Sequence, residues 1–188
     1  AGGGGTSYDV DQAVRFAAGL ANDSGTLPQQ RADIINLSLG GSPFSQATQD
    51  LYDQVKAAGV LVVAAAGNQA SSAPGYPASY EGVISVSAVD AQRRLAAYSN
   101  TGSMIDVAAP GGNTPADDGI YSTLPNARYG YEQGTSMAAP MVSGALAVLQ
   151  QYVKTHPEEN GVAGIALDTE HFNKALQLHL TRGEVGKN

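Results

Sequence analysis

The chain has 188 residues, 43% of them hydrophobic and 14% charged, with 10 Lys+Arg against 17 Asp+Glu and neither Cys nor Trp. That length can bury one proper core, and the apolar share excludes a disordered chain. A net charge of −7 argues against a nucleic-acid or anionic-membrane partner, and the missing cysteines remove disulfides, thiolate zinc sites and Cys nucleophiles together.

The opening Ala1-Gly2-Gly3-Gly4-Gly5 is neither a signal nor a transit peptide, and it lacks the Lys and Ser/Thr of a phosphate loop. A flexible loop is expected, in a chain that begins inside a larger protein. Thr6-x-x-Asp9 then resembles a capping box, and Val10, Val14, Ala17 and Ala21 follow at helical spacing. Residues 32–39 are short, β-branched at their centre and closed by Gly40-Gly41, as a buried strand would be. A second helix carries Ala47, Leu51, Val55 and Ala58 on one stripe and stops at Gly59. Residues 60–66 are apolar on both faces, which suits a central strand, and residues 82–89 and 104–109 repeat the pattern. No apolar run approaches the roughly 18 residues needed to span a bilayer.

Strands alternating with helices imply right-handed crossovers and a mainly parallel sheet, so the fold class is α/β. Gly111-Gly112, Pro115 and Pro125 mark turns around two strand-like stretches, 120–123 and 129–132, where a hairpin is expected. Asp117-Asp118 in this Gly/Pro-rich loop reads as a solvated turn. Residues 136–152 are apolar around the whole circumference, the mark of a buried helix, with Pro140 in the first turns where a missing N–H costs least. Residues 151–188 hold 9 of the 27 charged residues, which suggests a surface helix around 168–180 and a frayed end.

Three segments carry candidate chemistry. In Gly134-Thr135-Ser136-Met137-Ala138-Ala139-Pro140 a serine opens an apolar helix, where converging N–H groups and the helix dipole favour a developing oxyanion. Taken alone, Thr135 or Ser136 reads more simply as a helix N-cap. Ala65-Ala66-Gly67-Asn68 leaves the core strand at its carboxyl end, where ligands gather in open α/β sheets, and the Asn68 amide could donate to an oxyanion. An isolated Gly-Asn pair would otherwise be a turn. Asn36-Leu37-Ser38-Leu39-Gly40-Gly41 ends a strand in glycines that let an extended peptide approach and pair.

Together these segments resemble the subtilisin family of serine proteases, the subtilases. Gly75-Tyr76-Pro77-Ala78, Val86-x-Ala88-Val89-Asp90, Tyr98-Ser99-Asn100-x-Gly102, Asp106-Val107-x-Ala109-Pro110-Gly111 and Ser122-Thr123-Leu124-Pro125 extend the similarity, which covers residues 34–149. The resemblance implies a three-layer α/β sandwich with a family-like core over residues 6–152 and a divergent tail over 153–188. It makes Ser136 the nucleophile of a serine endopeptidase, with the Asn68 amide and the Ser136 N–H as oxyanion donors. Ser38, Leu39 and Gly40 would pair with substrate backbone and form one wall of the specificity pocket. Ala65, Ala66 and Gly67 would form the other, with Gly75 near its base. Small residues on all sides imply a preference for large apolar side chains, and Gln69, where many relatives carry Glu, lowers any preference for basic ones.

A serine nucleophile needs a base and a carboxylate to orient it, and subtilases supply them in the order Asp, His, Ser. The histidines here, His156, His171 and His179, all follow Ser136. No Asp-Thr-Gly or Asp-Ser-Gly motif is expected upstream. The N-terminal part of the domain carrying Asp and His is therefore expected elsewhere, as a separate chain or deleted, and this chain is expected to be inactive alone. A peptide-binding module that has lost catalysis is the alternative. An α/β-hydrolase esterase fits poorly, because Ala138 stands where the nucleophile elbow needs glycine. Met141 stands where most relatives have His after the proline and is expected only to pack the helix. No cofactor is required. The resemblance implies a weak cation site, with calcium as the structural ion, from the carbonyls of Ala78, Tyr80 and Val83 and the Asp106 carboxylate. Peptide or protein substrates and a secreted, extracellular location complete the expectation.

Overall fold

The computed structural model describes residues 4–114 and 118–155. Thr6 caps α1 (Ser7–Ala17): its hydroxyl oxygen accepts from Asp9 N at 3.2 Å, and the Asp9 carboxylate accepts from Thr6 N at 2.9 Å. The helix closes when Ala18 N–H and Leu20 N–H bond back to Val14 and Arg15. Ala21, expected on its apolar stripe, therefore lies outside it. Strand β1 (Ile34–Leu37) follows, then α2 (Gln46–Ala57), capped by the Ser45 side chain.

Strands β1, β2 (Leu61–Ala65), β3 (Val83–Val89) and β4 (Val107–Pro110) pair in that order, all parallel, with Ile35 opposite Val62 and Ala65 opposite Val86. The two-sided apolar run of β2 explains the layers. Val62 and Ala64 pack with Val14, Leu51 and Val55 of α1 and α2, whereas Leu61, Val63 and Ala65 pack with Ala138, Ala139, Val142 and Leu146 of α3 (Thr135–Thr155). The result is a parallel sheet between two helical layers, as the alternation implied. β4 begins at Val107 rather than residue 104. Asp106 is already committed to β3, its carboxylate accepting from Ser85 N at 2.8 Å, and Met104 faces outward. Strands β5 (Ile120–Leu124) and β6 (Arg128–Glu132) form the expected antiparallel hairpin.

Three expectations need correction. Helix α3 is not buried all round: Met141, Ala145, Val148 and Tyr152 form an exposed stripe, with Val148 72% exposed. The apolar circumference thus reflects a face that nothing among the described residues covers. Pro140 does not escape the cost of its missing N–H by position, because its i−4 acceptor is the Ser136 carbonyl inside the same helix. Ser38 Oγ replaces it, donating to Ser136 O at 2.8 Å. Asp118 is an anchor rather than a solvated turn residue. Its carboxylate accepts from Asn113 N at 2.7 Å, Thr114 N at 2.9 Å and Ala91 N at 3.2 Å, and these bonds, Thr114's foremost, lower its pKa. Asp117 and the expected helix at 168–180 lie outside the described residues. Among those residues no helix is long and apolar enough to cross a membrane.

Candidate active site

β1 and β2 point their carboxyl ends at the start of α3, so Ser38, the 66–68 segment and Ser136 meet where ligands gather in parallel sheets. Gly134, at φ +147, turns the chain into the helix. A Cβ built there would lie 3.2 Å from Asn68 Nδ2 and 3.6 Å from Ser136 N. Two donors therefore flank one small space that only a glycine leaves open. Neither has a protein acceptor among the described residues.

The orientation of Asn68 is fixed by its other end. Its Oδ1 accepts from Thr135 N and from Thr135 Oγ1, both at 2.9 Å, and Thr135 Oγ1 in turn accepts from Gly67 N at 3.1 Å. With the amide oxygen occupied by a buried threonine, the NH2 is left for the space beside Ser136. The sequence offers Thr135 only as a helix N-cap, a position that gives no hint that its hydroxyl faces another loop. Ser136 Oγ donates to Ser38 O at 3.3 Å. Ser38 Oγ is held by Asn36 Nδ2 at 2.9 Å, and Asn36 Oδ1 accepts from Ser143 Oγ at 3.0 Å, so a polar chain runs from the third turn of α3 back to the helix start.

Ala65 and Ala66 are buried, and Ala66 O accepts from Gly75 N and from Asn100 Nδ2, each at 2.9 Å. Those bonds bring Gly75 to the 65–67 segment. Across from it, Leu39 is half-exposed, and Gly40 lies so near the Tyr76 carbonyl that a Cβ would meet it at 3.1 Å. Asn100 holds the loop: besides Ala66 O it binds Gln69 N and Ser71 N through Oδ1, both at 3.0 Å, and its own N–H donates to Gly67 O at 3.0 Å. Gln69 Oε1 is turned onto Asn68 N and Asn100 Nδ2, each at 3.1 Å, which gives Gln69 a bracing role in the loop. Asn100→Ala should orphan Gln69 N and Ser71 N and take one of two bonds from Ala66 O, at a cost of about 2–4 kcal/mol, read as a lower urea midpoint at unchanged slope. A loss under about 0.5 kcal/mol would show that the loop holds without it.

Comparison with known proteins gives the arrangement a family. The sequence profile described as the Subtilase family matches residues 1–181. The chain belongs to the subtilase family. It is 44% identical over 147 residues to "Thermophilic serine proteinase" of Bacillus sp. (strain AK1), covering 78% of this chain and 33% of that protein. It is 43% identical over 129 residues to "Subtilisin E" of Bacillus subtilis (strain 168), covering 66% of this chain and 32% of the relative. A solved structure of a protease from Pseudoalteromonas arctica PAMC 21717 superposes with a TM-score of 0.75 at 38% identity, over 79% of this chain and 47% of the other. This subtilase chain thus spans about a third of the length of these two curated relatives.

A subtilase needs a histidine beside the serine, and none stands among the described residues; His156, His171 and His179 lie outside them. The expectation that no Asp-Ser-Gly precedes Ser136 is wrong on the sequence itself, because Asp23-Ser24-Gly25 is one. It sits in an exposed turn after α1, where the Asp23 carboxylate accepts from the Tyr8 hydroxyl and Asp23 N donates to Gln12. It makes no bond to Ser136, Asn68 or Thr135. Ala78, Tyr80, Val83 and Asp106 offer carbonyl oxygens and one carboxylate. Tyr80 O already accepts from Val83 N at 3.2 Å, and burial raises the Asp106 pKa. The Asp106 carboxylate accepts from Ser85 N, and among the described residues no three His, Asp or Glu side chains come together to hold a metal ion.

Proposed function

We propose that this chain is the Ser136-bearing part of a serine endopeptidase domain. The observation that carries this reading is the pair of unfilled donors, Asn68 Nδ2 and Ser136 N–H, flanking one space beside the Ser136 hydroxyl. In the reaction Ser136 Oγ attacks the scissile carbonyl carbon and gives its proton to a histidine supplied by the rest of the domain. The carbonyl oxygen becomes an oxyanion held by the two donors. The leaving amine takes the proton, the acyl-enzyme remains on Ser136, and water repeats the sequence to release it. Helix α3 places its positive end at the oxyanion, which adds to the same stabilisation.

The open edge of β1 and the exposed stripe of α3 support the second half of the proposal, that the remaining part of the domain packs here with its Asp and His. A non-catalytic peptide-binding module is the competing reading. It is favoured by the lack of a histidine among the described residues, and the residues preceding Ala1 decide between the two: an Asp-x-Gly and a His-Gly-x-His there mark a protease. A weakly bound structural calcium at Ala78, Tyr80, Val83 and Asp106 belongs to the proposal, as does secretion. Family membership alone leaves the compartment open, since "Major intracellular serine protease" of Bacillus subtilis (strain 168) is 44% identical over 129 residues.

The test is a set of peptide p-nitroanilides given to the complete domain. Large apolar residues before the cleaved bond should exceed Lys or Arg by about tenfold or more in kcat/KM, because the walls at Ala65, Ala66 and Gly67 offer no counter-charge. A preference for Lys or Arg there would contradict the pocket assignment.

A further inference from the structure

Each oxyanion donor stands on its own segment, Asn68 on the loop after β2 and the Ser136 N–H at the start of α3. Thr135 joins the two at one point, through its bonds with Asn68 Oδ1 and Gly67 N. A single joint lets two segments pivot about it. The separation of the donors is fixed only by a second joint some distance away.

Tyr98 reaches both segments, one with each end. Its backbone carbonyl accepts from Ala70 N at 2.8 Å, where Ala70 sits at φ +51, a left-handed conformation that an alanine keeps only when held. Its hydroxyl donates to the Gly111 and Gly112 carbonyls, at 2.9 and 2.5 Å, and Gly111 O also accepts from Gly134 N at 3.0 Å. A Cβ built on Gly111 would lie 2.7 Å from Gly134 O and 3.1 Å from Tyr98 Oη, so the phenol, Gly111 and the turn into α3 are packed against one another. Tyr98 is itself rooted in the sheet. Ala96 N donates to Ala88 O at 2.9 Å and Ala88 N to Ser99 Oγ at 2.8 Å, which clips both flanks of Tyr98 to β3. Burial foremost holds the phenol above its ordinary pKa, so the proton stays on Oη for donation.

We propose that Tyr98 is a positioning residue for the oxyanion pair: its carbonyl fixes the Asn68 loop, its hydroxyl fixes the Gly111–Gly134 turn, and the distance between the two donors is set through it. The proposal rests on the endopeptidase reading above. The ring packs against the core cluster that holds Ala88, Ala138 and Ala139, a task phenylalanine would do as well. The hydroxyl is therefore the part that needs an account, and both of its acceptors lie on the turn that aims Ser136. A donor displaced by a fraction of an ångström holds the oxyanion less well and leaves the bound substrate untouched, so the hydroxyl acts on kcat and not on KM.

Tyr98→Phe keeps the ring and the carbonyl and removes the hydroxyl alone. In the complete domain it should lower kcat about five- to thirtyfold with KM within about twofold. In the Asn68→Ala background the same substitution should cost less than about threefold, because one of the two donors it sets apart is gone. A second readout needs no activity. In the 188-residue chain, Tyr98→Phe should quicken amide hydrogen exchange at Gly134 by about tenfold and leave the β2 and β3 amides unchanged, whereas a general loss of stability would quicken all of them alike. If kcat stays within about twofold, falls equally in both backgrounds, or Gly134 exchange is unchanged or moves only with the whole sheet, Tyr98 is a packing residue and the proposal is overturned. The oxyanion reading survives that result as long as Asn68→Ala alone lowers kcat. If Asn68→Ala alone leaves kcat intact, both fall together.

Discussion

Ser136 of the 188-residue chain should label with a fluorophosphonate probe about 10⁶-fold more slowly than Ser136 of a complete domain. The proton on Ser136 Oγ points at the Ser38 carbonyl, 3.3 Å away, and a backbone carbonyl cannot take it. No histidine stands beside it among the described residues. The magnitude is carried over from subtilisin, a relative, where loss of the histidine alone costs about 2 × 10⁶ in kcat. The donors remain in place in the isolated chain, so a residual rate above that of free serine is expected, but not triad chemistry. Intact-mass kinetics of the probe adduct, with Ser136→Ala as the blank, gives the rate. Labelling within minutes at micromolar probe would show that His156, His171 or His179 reaches the serine, and the requirement for an upstream part would be withdrawn.

What could be read in the sequence was whatever local chemistry decides. Thr6 and Asp9 satisfy each other's orphan groups wherever the chain goes next, so the start of α1 was legible. Seven apolar residues from Val60 to Ala66 can rest only between two covered faces, so β2 and hence the layers were legible too. The ends of elements were not, because tertiary partners set them. Asp106 is drawn onto Ser85 before β4 starts, and Asp118 is held by three N–H groups from two segments that no spacing rule connects.

The candidate site divides in the same way. Ser136 and Asn68 could be named only because the motifs around them resemble the subtilase family; taken alone, a serine at a helix start reads as a cap and a Gly-Asn pair as a turn. Thr135, which orients Asn68, looked like a cap, and Asn100, which holds the loop, stood in the sequence only as part of a family motif. Pro140 is the sharpest case. From sequence it looked harmless, yet its missing N–H frees the Ser136 carbonyl for Ser38 Oγ, and so ties the helix start to β1. The exposed stripe of α3 was illegible for the opposite reason: the pattern reports that a face is apolar and says nothing of what covers it.

Asn68→Ala in the complete domain should lower kcat by about 10² to 10³ with KM nearly unchanged. The amide donor meets the oxyanion, which exists only in the transition state, so its loss spares substrate binding. The size of the effect is that of removing the amide donor in subtilisin and is carried over from that relative. Alanine also removes the acceptor for Thr135 N and Oγ1, which are buried, so it should destabilise the domain by about 1–3 kcal/mol as well. Asn68→Asp separates the two effects. Its carboxylate keeps both bonds from Thr135 and therefore the loop, but it sets a negative charge where the oxyanion forms. It should melt within a few degrees of the parent and lose at least as much kcat as alanine. Steady-state kinetics beside thermal melts reads both variants. If Asn68→Asp kept kcat within about threefold while folded, Asn68 would be a brace for Thr135 and nothing more, and the oxyanion would rest on the Ser136 N–H alone.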